Sequence, residues 1–356
     1  MGKTAGMRDV AEQIPAILSA FASGTVAIAR VVSMRGFGSR RAGEALVLVD
    51  GALAAGTLLG GTATASIVEA ARASLDDGTG AMLIEVSIGD PDAVAAGLAC
   101  GGSAKVLVQD ARKIPHTVWE SVAARRPVAV VTSLADPTGN SLAVGFGAFD
   151  SGRSAEPIVA GTLGDPGLDA FAVHRAAEAI RLRKEGPHIV DGEHGPLLIE
   201  ALIPVPHLVV LGIADLAGAL RRQGELLGWT VEVADEREPG VTESVVASLG
   251  RIGPHDAVVV LSHDIQASCA VLAEGLRTGC YVGALGSRHT QSARAEHLAA
   301  QGIPDTDRAR IHGPVGLDIG SRSPQETAVA IVAEILADRS GRTAGSLRLS
   351  AGPING

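Results

Sequence analysis

The chain has 356 residues, of which 46% are hydrophobic and 19% are charged, so it can bury sizeable cores and is long enough for two domains. Its formal net charge is −9, and aromatic residues make up only 2% of it. Without a basic run to neutralise phosphates or rings to stack on bases, the composition argues against nucleic acid as a partner. The sequence contains no stretch of 18 apolar residues, so it predicts no membrane span.

The cysteines indicate the compartment. Cys100, Cys269 and Cys280 are few, odd in number and form no C-x-x-C pair, which is typical of the reducing cytoplasm rather than of a disulfide scaffold. The first residues, MGKTAGMRDVAEQIPAIL, lack the continuous apolar core of a signal peptide. We therefore expect a cytoplasmic protein. Cys269 and Cys280 lie in apolar patterns and are predicted to be core residues.

The first half mixes strands and helices irregularly, which predicts an α+β domain over residues 1–200. An amphipathic pattern predicts a helix over Asp9–Phe21, and β-branched residues predict a strand over Thr25–Val32. Asp50 and Gly51 stand between two apolar runs and predict a hairpin. MLIEVSI, SAKVLVQ and PVAVVTSL are predicted as strands, and TASIVEAARASL and LDAFAVHRAAEAIRLR as helices. We find no short sequence repeat.

The segment from Lys184 to His207 is rich in glycine, proline and polar residues and is the best candidate for a domain boundary. Only LLIEALI within it is predicted as a strand. Strands then alternate with helices of about 10–15 residues, which predicts βαβ units. The expected fold is α/β: an N-terminal α+β domain, a Rossmann-like doubly wound parallel sheet over residues 201–345, and a tail over 346–356.

The stretch HLVVLGIADLAGAL is placed like a dinucleotide-binding glycine turn. Gly212 holds the first glycine position, and Ala217 is acceptable at the third. Ala214 puts a methyl group where a pyrophosphate would approach, and Asp215 would repel that phosphate. Asp235 lies 23 residues after Gly212 (235 − 212), where an acid can bind ribose hydroxyls. A nucleotide-like ligand and a purely structural turn both remain open.

Another polar loop, Ser262-His263-Asp264, follows the predicted strand DAVVVL. Ligands of open α/β sheets bind outside the carboxyl ends of the strands, so this loop is a candidate binding site. His263 could act as an acid, a base or a hydrogen-bond partner. The alternative is a capping motif, with Asp264 at the start of the next helix.

Two further loops are expected at the same edge of the sheet. Gly286, Ser287 and Arg288 follow the strand YVGAL and begin a helix, which provides a helix N-terminus and a cation for an anion. His312 and Asp318 belong to the next loop, IHGPVGLDIG, for which a rigid turn is the alternative explanation. The topology brings these loops together, so they support one another as a site.

Several of these motifs resemble one family. The pattern VVVLSHD, YVGALGSRHT and RIHGPVGLDIGSRSPQETAVAIVAEIL, together with the weaker RGFGSRRAGEALVLVDG, LLGG and GLACGGSAKVLVQ, resembles the XdhC/CoxI family. These are accessory proteins of xanthine dehydrogenase and carbon monoxide dehydrogenase. The resemblance implies an N-terminal XdhC/CoxI domain followed by a Rossmann-like domain.

The resemblance also implies a function. Such a protein would bind the molybdenum cofactor (molybdopterin) transiently, support its sulfuration and deliver it to an apo molybdenum hydroxylase, and would be an accessory protein rather than the catalyst. A cysteine desulfurase is a further implied partner, and a homodimer is the expected assembly.

The chain departs from the family pattern at three places. Thr62 and Thr64 replace the usual cysteine and glutamate after LGG, while Ala214 and Asp215 replace the usual glycine and histidine of the glycine turn. After the SHD motif, the family's second histidine and aspartate are replaced by Ile265 and Ser268. The histidine and aspartate of that motif are thereby left as an isolated pair, and we expect no metal site.

Against this background, the first half has three candidate binding features. Arg40 and Arg41, in a polar glycine loop, could bind a phosphate or the anionic tail of the pterin, unless they form a solvated turn. Gly60 and Gly61 precede a helix and could add backbone N–H groups. Cys100, flanked by glycines, is the candidate soft ligand or sulfur carrier; the alternative is a small buried residue at a strand entrance.

Two other functions fit the same residues. The chain could be an NAD(P)-dependent oxidoreductase that uses the Rossmann half, in which Asp235 would favour NAD because its charge opposes a 2′-phosphate. It could also be a scaffold that binds only protein partners. The sequence has no G-x-x-x-x-G-K-[ST], G-x-S-x-G or H-E-x-x-H motif, so ATPase, serine hydrolase and zincin functions lack support.

Overall fold

In a computed structural model of the chain, the described residues are 24–37, 42–76, 79–98, 100–146, 156–184, 186–192, 195–212 and 215–349. The predicted helix at Asp9–Phe21 lies outside them. The chain separates into two compact units, of which the first ends at Pro204 and the second begins at Val205. No helix in the described ranges is long and apolar enough to cross a membrane.

In the described ranges, the first unit contains ten strands in two antiparallel sheets. The strands are β1 (Val26–Gly36), β2 (Ala45–Val49), β3 (Ala52–Gly56), β4 (Ala81–Ile88), β5 (Gly102–Asp110), β6 (Val128–Ser133), β7 (Ser141–Phe146), β8 (Pro157–Gly161), β9 (Gly186–Gly192) and β10 (Gly195–Leu202). The first sheet has the order β3-β2-β1-β5-β4, and the second has the order β8-β7-β6-β10-β9. The α+β prediction for this half is confirmed.

The two sheets repeat one topology. Helices accompany them: α1 (Thr64–Asp76), α2 (Asp90–Ala95), α3 (Thr117–Ala123) and α4 (Pro166–Arg181). In both sheets three meandering strands are followed by a long helix, α1 or α4, and then by two strands that return beside the first. The tetrapeptide AGTL occurs at the end of β3 and again at the end of β8. The duplication lies mainly in the topology, so the sequence patterns did not predict it.

Strand alternation explains how the layers pack. Ala27 and Ala29 of β1 face a core shared with α1, whereas Val26 and Ile28 face a core shared with Val128 of the second sheet. The far side of the second sheet is covered by α4. Since successive side chains of a strand point to opposite faces, the central strands β1 and β6 are buried on both faces, whereas the edge strands β3 and β8 are largely exposed. The first unit is therefore layered helix, sheet, sheet, helix.

A polar cluster lies between the two sheets. Arg30 donates to Glu200 and to Gln109, and Gln109 in turn donates to the Ser141 hydroxyl over 2.8 Å. The Ser141 and Thr132 hydroxyls are 2.7 Å apart. All five side chains are buried. The cluster joins β1 and β5 of one sheet to β6, β7 and β10 of the other, and the ion pair neutralises two charges that would be costly to bury separately.

Two local predictions have different outcomes. The hairpin is confirmed: Asp50 and Gly51 connect β2 to β3 with φ of 48° and 72°, the positive values of a type I′ turn. The prediction of a single strand, LLIEALI, within Lys184–His207 is wrong, because this segment contains two strands. β9 pairs with β10 as an antiparallel hairpin. Proline and half-exposed polar residues conceal β9, which is possible because it is an edge strand.

The second unit is a parallel sheet flanked by helices. Its strands are β11 (His207–Leu211), β12 (Thr230–Ala234), β13 (Ala257–Val260), β14 (Tyr281–Ala284) and β15 (Ile311–His312). Its helices are α5 (Asp215–Leu226), α6 (Val241–Leu249), α7 (Ile265–Thr278), α8 (Arg288–Ala300), α9 (Asp305–Arg308) and α10 (Pro324–Ser340).

The sheet order is β12-β11-β13-β14-β15, with every pair parallel. One face packs against α5 and α10, and the other packs against α6 and α7. The prediction of a doubly wound Rossmann-like sheet is confirmed. Because the chain leaves β11 first towards β12 and later crosses to β13, the topological switch point lies between β11 and β13.

Replacing Arg30 with Met tests the importance of the buried ion pair. We expect the free energy of unfolding to fall by about 3–5 kcal/mol, because the Glu200 carboxylate stays buried without its partner. Burial raises the pKa of Glu200 even beside Arg30, and removing the guanidinium raises it further. A carboxyl whose pKa is higher in the folded state contributes stability at low pH and loses it as the pH rises. The difference in unfolding free energy between Arg30→Met and the wild type should therefore become smaller in acid. Chemical denaturation followed by circular dichroism measures both effects.

The double variant Arg30→Met/Glu200→Leu is expected to recover most of that loss, since it removes both charges. Arg35→Met is the matched control, because Arg35 is exposed on the same strand and its loss should change stability by no more than about 0.5 kcal/mol. A double variant as unstable as Arg30→Met would contradict this account.

Candidate functional site

The parallel sheet places a turn after each strand at one edge. Gly212 follows β11 at the switch point, and its N–H donates to the Ala234 carbonyl over 2.8 Å. Its φ is 117°, and a Cβ there would lie 3.0 Å from both the Leu261 Cβ and the Ser262 nitrogen. Only glycine fits this corner. Ala214 lies outside the described residues.

The turn after β13 caps a helix and also leaves one side chain exposed for a ligand, so it combines the two roles that the sequence left open. The Asp264 carboxylate accepts from the Ala267 N–H over 2.9 Å and caps α7, and the Ser262 hydroxyl accepts from the Asp264 N–H over 3.1 Å. His263 is exposed between them, and in the described part of the chain its ring makes no hydrogen bond. Asp264 therefore has a structural role, whereas His263 is available to a ligand.

The turn after β14 is also a helix start. The Ser287 hydroxyl accepts from the Thr290 N–H over 3.2 Å and caps α8. Gly286 has a φ of 140°, and a Cβ there would lie 3.1 Å from the Thr290 side chain. Arg288 is exposed at the first position of α8. The N-terminus of α8 thus carries positive potential at the edge of the sheet.

Arg294, on the inner side of α8, is a residue that the sequence motifs did not single out. It is only 2% exposed. Its Nη1 donates to the Leu285 carbonyl over 2.6 Å, and its Nη2 donates to the Ser262 carbonyl over 2.7 Å. It thereby ties the turns after β13 and β14 together. The helical period could have indicated its burial, since Arg294 lies one turn before the fully buried Leu298.

Asp235 lies directly after β12, as predicted, but its carboxylate already has a partner. The Oδ1 accepts from the Arg237 N–H and Nε, each over 3.0 Å, and the Oδ2 accepts from Nη2 over 2.9 Å. The hydrogen bonds from Arg237 lower the pKa of Asp235. The argument that Asp235 opposes a 2′-phosphate is weakened, because the exposed Arg237 guanidinium compensates its charge.

His312 differs from its prediction as a loop residue, because it ends β15. Its Nδ1 lies 3.3 Å from Glu334, its Nε2 lies 3.7 Å from Asp338, and its ring stacks on Tyr281 at 4.4 Å between centroids. Glu334 also accepts from the Tyr281 hydroxyl over 2.6 Å and from the Gly316 N–H over 2.7 Å. This environment gives His312 a structural role.

Asp318 lies in the loop that follows β15. It is exposed, and its side chain makes no hydrogen bond within the described ranges. The Gly316 anchor on Glu334 positions the loop that contains it. Asp318 therefore stays a candidate ligand residue.

In the first unit, Arg40 and Arg41 lie outside the described residues. Gly60 and Gly61 form a short turn before α1 with φ of 68° and 86°. Cys100 is partly exposed immediately before β5. As predicted, Gly60 and Gly61 precede α1, and Cys100 lies at the entrance to β5.

The turns of the first unit meet α2 at its two ends. A Cβ at Gly60 would lie 2.7 Å from the carbonyl oxygen of Ala96, just after the helix. The Gly101 N–H, next to Cys100, donates over 2.7 Å to Asp90, the first residue of the helix. Six helical residues span about 9 Å, so the turn at Gly60 and the turn at Gly101 lie at opposite ends of α2. Close packing against the backbone of α2 accounts for Gly60.

A second contact brings the end of β1 to the same place. The Phe37 N–H donates to the Gly101 carbonyl over 3.2 Å, and a Cβ at Gly36 would lie 2.5 Å from that oxygen. A Cβ at Gly101 would lie 2.4 Å from the Ile88 carbonyl oxygen and one at Gly102 would lie 2.3 Å from the Arg35 carbonyl oxygen, so backbone packing requires these two glycines beside Cys100. The Cys100 thiol is partly exposed, and the neighbouring Gly101 N–H donates to the Asp90 carboxylate. No group of three or more His, Cys, Asp or Glu side chains that could hold a metal ion is present among the residues described.

Comparison with known proteins decides the family. Residues 208–335 match the XdhC Rossmann domain, and residues 21–87 match the XdhC and CoxI family. The chain belongs to the XdhC and CoxI family. The Rossmann match coincides with the parallel sheet of the second unit, and the other match contains β1 to β3 and most of β4 of the first.

Two curated relatives and one solved structure extend this comparison. The chain is 26% identical over 213 residues to the uncharacterized protein YqeB of Escherichia coli K12, covering 51% of this chain and 39% of that protein. It is 28% identical over 161 residues to a probable xanthine dehydrogenase subunit of Bacillus subtilis 168, covering 40% of this chain and 46% of that protein. The chain thus matches less than half the length of either relative.

The solved structure is described as a xanthine dehydrogenase from Bacillus halodurans. It is 19% identical to this XdhC/CoxI-family chain, with a TM-score of 0.46, over 94% of this chain and 98% of that one.

Thiol modification tests the environments of the three cysteines. Cys100 is partly exposed, whereas Cys269 and Cys280 are buried, and burial raises the pKa of Cys280 to about 12. Because the thiolate is the nucleophile, iodoacetamide at pH 8 should modify one thiol rapidly in the native protein and all three after denaturation. Mass spectrometry identifies the site. Cys100→Ser should abolish the rapid phase, and rapid modification that persists in this variant would contradict the assignment.

Replacing Glu334 with Ala tests the anchor below β15. We expect a loss of about 2–3 kcal/mol of unfolding free energy, because the Tyr281 hydroxyl and the Gly316 N–H both lose a charged acceptor. Urea denaturation measures it. Glu296→Ala is the control, since Glu296 is exposed on α8. Equal stability of the two variants would show that the anchor contributes little.

Proposed function

We propose that this protein is an accessory factor of a molybdenum hydroxylase of the xanthine dehydrogenase or carbon monoxide dehydrogenase type. Membership of the XdhC and CoxI family carries this proposal. It is supported by a relative that is named as part of a probable xanthine dehydrogenase. The apo-hydroxylase is then the partner, and a cytoplasmic homodimer is the form in which we expect the protein to act.

In this proposal the molybdenum cofactor is cargo that the protein binds and delivers. The second unit offers an edge with the free ring of His263, the exposed cation Arg288 and the N-terminus of α8 for the anionic part of the cofactor. The first unit offers the Cys100 thiol, which is accessible and of the chemical type that binds soft metals. Each feature, taken by itself, suits one part of a labile, anionic, metal-containing ligand.

Support of sulfuration is the finer part of the proposal. A thiolate can carry sulfur as well as bind metal, and Cys100 is the only partly exposed cysteine of the three. A cysteine desulfurase would be the source of that sulfur. The Asp90 side chain, bound to the Gly101 N–H beside Cys100, would position the loop that presents the thiol.

NAD(P) binding is the second candidate function. It is favoured by Gly212 at the switch point of the sheet and by an acid directly after β12. The Arg237 guanidinium offsets the charge of Asp235, so the preference for NAD over NADP that the acid alone implies is weakened. A dehydrogenase function would further require hydride transfer, which a titration with NAD and NADP in the presence of an oxidisable substrate can detect.

Retention of freshly released molybdenum cofactor on the purified full chain tests the main proposal. We expect stoichiometric retention after ultrafiltration, and a fall of about tenfold or more in affinity for Cys100→Ala, as expected when a metal–thiolate contact worth roughly 1.4 kcal/mol is lost. Molybdenum is quantified by mass spectrometry. Cys269→Ala removes a buried thiol of the second unit and should retain the cofactor like the wild type.

The other outcomes are also decisive. Retention that is equal in Cys100→Ala would keep the carrier function and reject Cys100 as its ligand. No retention by either protein would reject the carrier function. Saturable NAD(P) binding would then favour the nucleotide function, and its absence would favour a scaffold that binds only protein partners.

A further inference from the structure

Among the described residues, no acidic side chain forms an ion pair with the positive charge of Arg294. It is only 2% exposed, and the residues described place no carboxylate within ion-pair distance of it. Its Nε has no hydrogen-bond partner among them. Burial without a counter-ion lowers its pKa. Its Nη atoms donate to two backbone carbonyls and to the Gln291 Oε1, but none of these acceptors carries a charge, so an anion nearby would stabilise the buried cation.

The position of this charge indicates where that anion would lie. The guanidinium donates to the carbonyls of Ser262 and Leu285, which follow β13 and β14 at the carboxyl edge of the sheet. Its Nη1 is 3.3 Å from the place where a Cβ of Gly286 would stand. Arg294 therefore lies directly beneath the turn that begins α8, at the edge where open α/β sheets bind their ligands.

The groups around this turn favour an anion. The N-terminus of the 13-residue helix α8 points to the edge, and the exposed Arg288 stands at its first position. Neighbouring turns are less favourable: Asp264 caps α7, and Asp215 occupies the first turn of α5. Asp235 is neutralised by Arg237. The positive potential is thus concentrated at the turn after β14.

We propose that the turn of Gly286, Ser287 and Arg288 binds a phosphate group, and that the buried Arg294 supplies the charge that holds it. The phosphate site of the Rossmann unit would then lie at its fourth strand, not at the glycine turn after β11. This inference rests on the proposed function where the ligand is the pterin cofactor, and it deepens that proposal by naming the phosphate group and the buried cation; a nucleotide would use the same site because it too carries phosphate. It concerns the second unit alone.

Binding of inorganic phosphate to the full chain tests the proposal. Isothermal titration calorimetry at low ionic strength should detect millimolar binding that weakens as salt is added. We expect Arg294→Gln to weaken it about tenfold or more, which corresponds to about 1.4 kcal/mol, and Arg294→Lys to retain most of it because the charge is kept. Arg288→Ala should show an intermediate loss. Arg251→Ala is the control, since Arg251 is exposed after the C-terminal end of α6, at the opposite edge.

Circular dichroism and thermal denaturation establish that each variant is folded. Equal loss of binding in folded Arg294→Lys and Arg294→Gln would show that Arg294 only holds the two turns together, and would overturn its role as a charge source. Equal binding by Arg288→Ala and the wild type, or no binding of phosphate by the wild type, would overturn the site. If Arg294→Gln does not fold, Arg288→Ala and the salt dependence still decide.

A final comparison identifies the source of the phosphate. Released molybdenum cofactor and adenosine monophosphate are each competed against inorganic phosphate on the wild type and on Arg288→Ala. Competition by the cofactor alone assigns the site to the pterin phosphate, and competition by the nucleotide alone assigns it to a nucleotide. If neither competes although phosphate binds, the turn binds inorganic phosphate but neither the pterin phosphate nor a nucleotide phosphate. The proposal that it is a ligand site is then rejected.

Discussion

Parallel pairing of its strands is the constraint on which the second unit depends. In such a sheet every strand ends at the same edge, so turns that lie far apart in the sequence become neighbours in space. Gly212, the Ser262 turn and the Gly286 turn come together for this reason alone. Each turn also begins a helix, so the edge collects positive ends of helix dipoles whatever the ligand is.

Arg294 shows how that edge is held. A guanidinium has several donors in a fixed plane, and here two of its nitrogens donate to carbonyls of adjacent turns. A neutral side chain could make such bonds without the cost of burying a charge. The use of a cation at this place is thus more easily explained by an anion above it than by stability alone. Glu334 has the corresponding role for β15, where its carboxylate accepts from a hydroxyl and from a backbone N–H.

The first unit is organised differently, because its two sheets repeat one topology and pack face to face. The contact is largely apolar, and Arg30 and Glu200 interrupt it with one buried ion pair. Such a pair selects a particular alignment of the sheets, since a shift would leave both charges unpaired. The candidate group Cys100 lies away from this pair, at the entrance to β5, where backbone packing around Gly36 and Gly101 shapes the surrounding turns.

The sequence by itself determined the elements that have a clear period or turn chemistry. The hairpin at Asp50 and Gly51, the alternation of the second half and the burial of Cys269 and Cys280 follow from local rules, because a two-residue turn or an apolar strand needs only neighbouring residues to define it. The motifs also indicated the family.

Only the tertiary structure decided which polar residues meet. The pairing of Arg30 with Glu200 spans 170 positions, and the burial of Arg294 depends on two turns that lie on other elements. Asp235 and His312, predicted as ligand residues, are instead bound by side chains of the protein itself. Sequence patterns could not show this, because a side chain has the same letter whether its polar atoms face a ligand, water or another side chain.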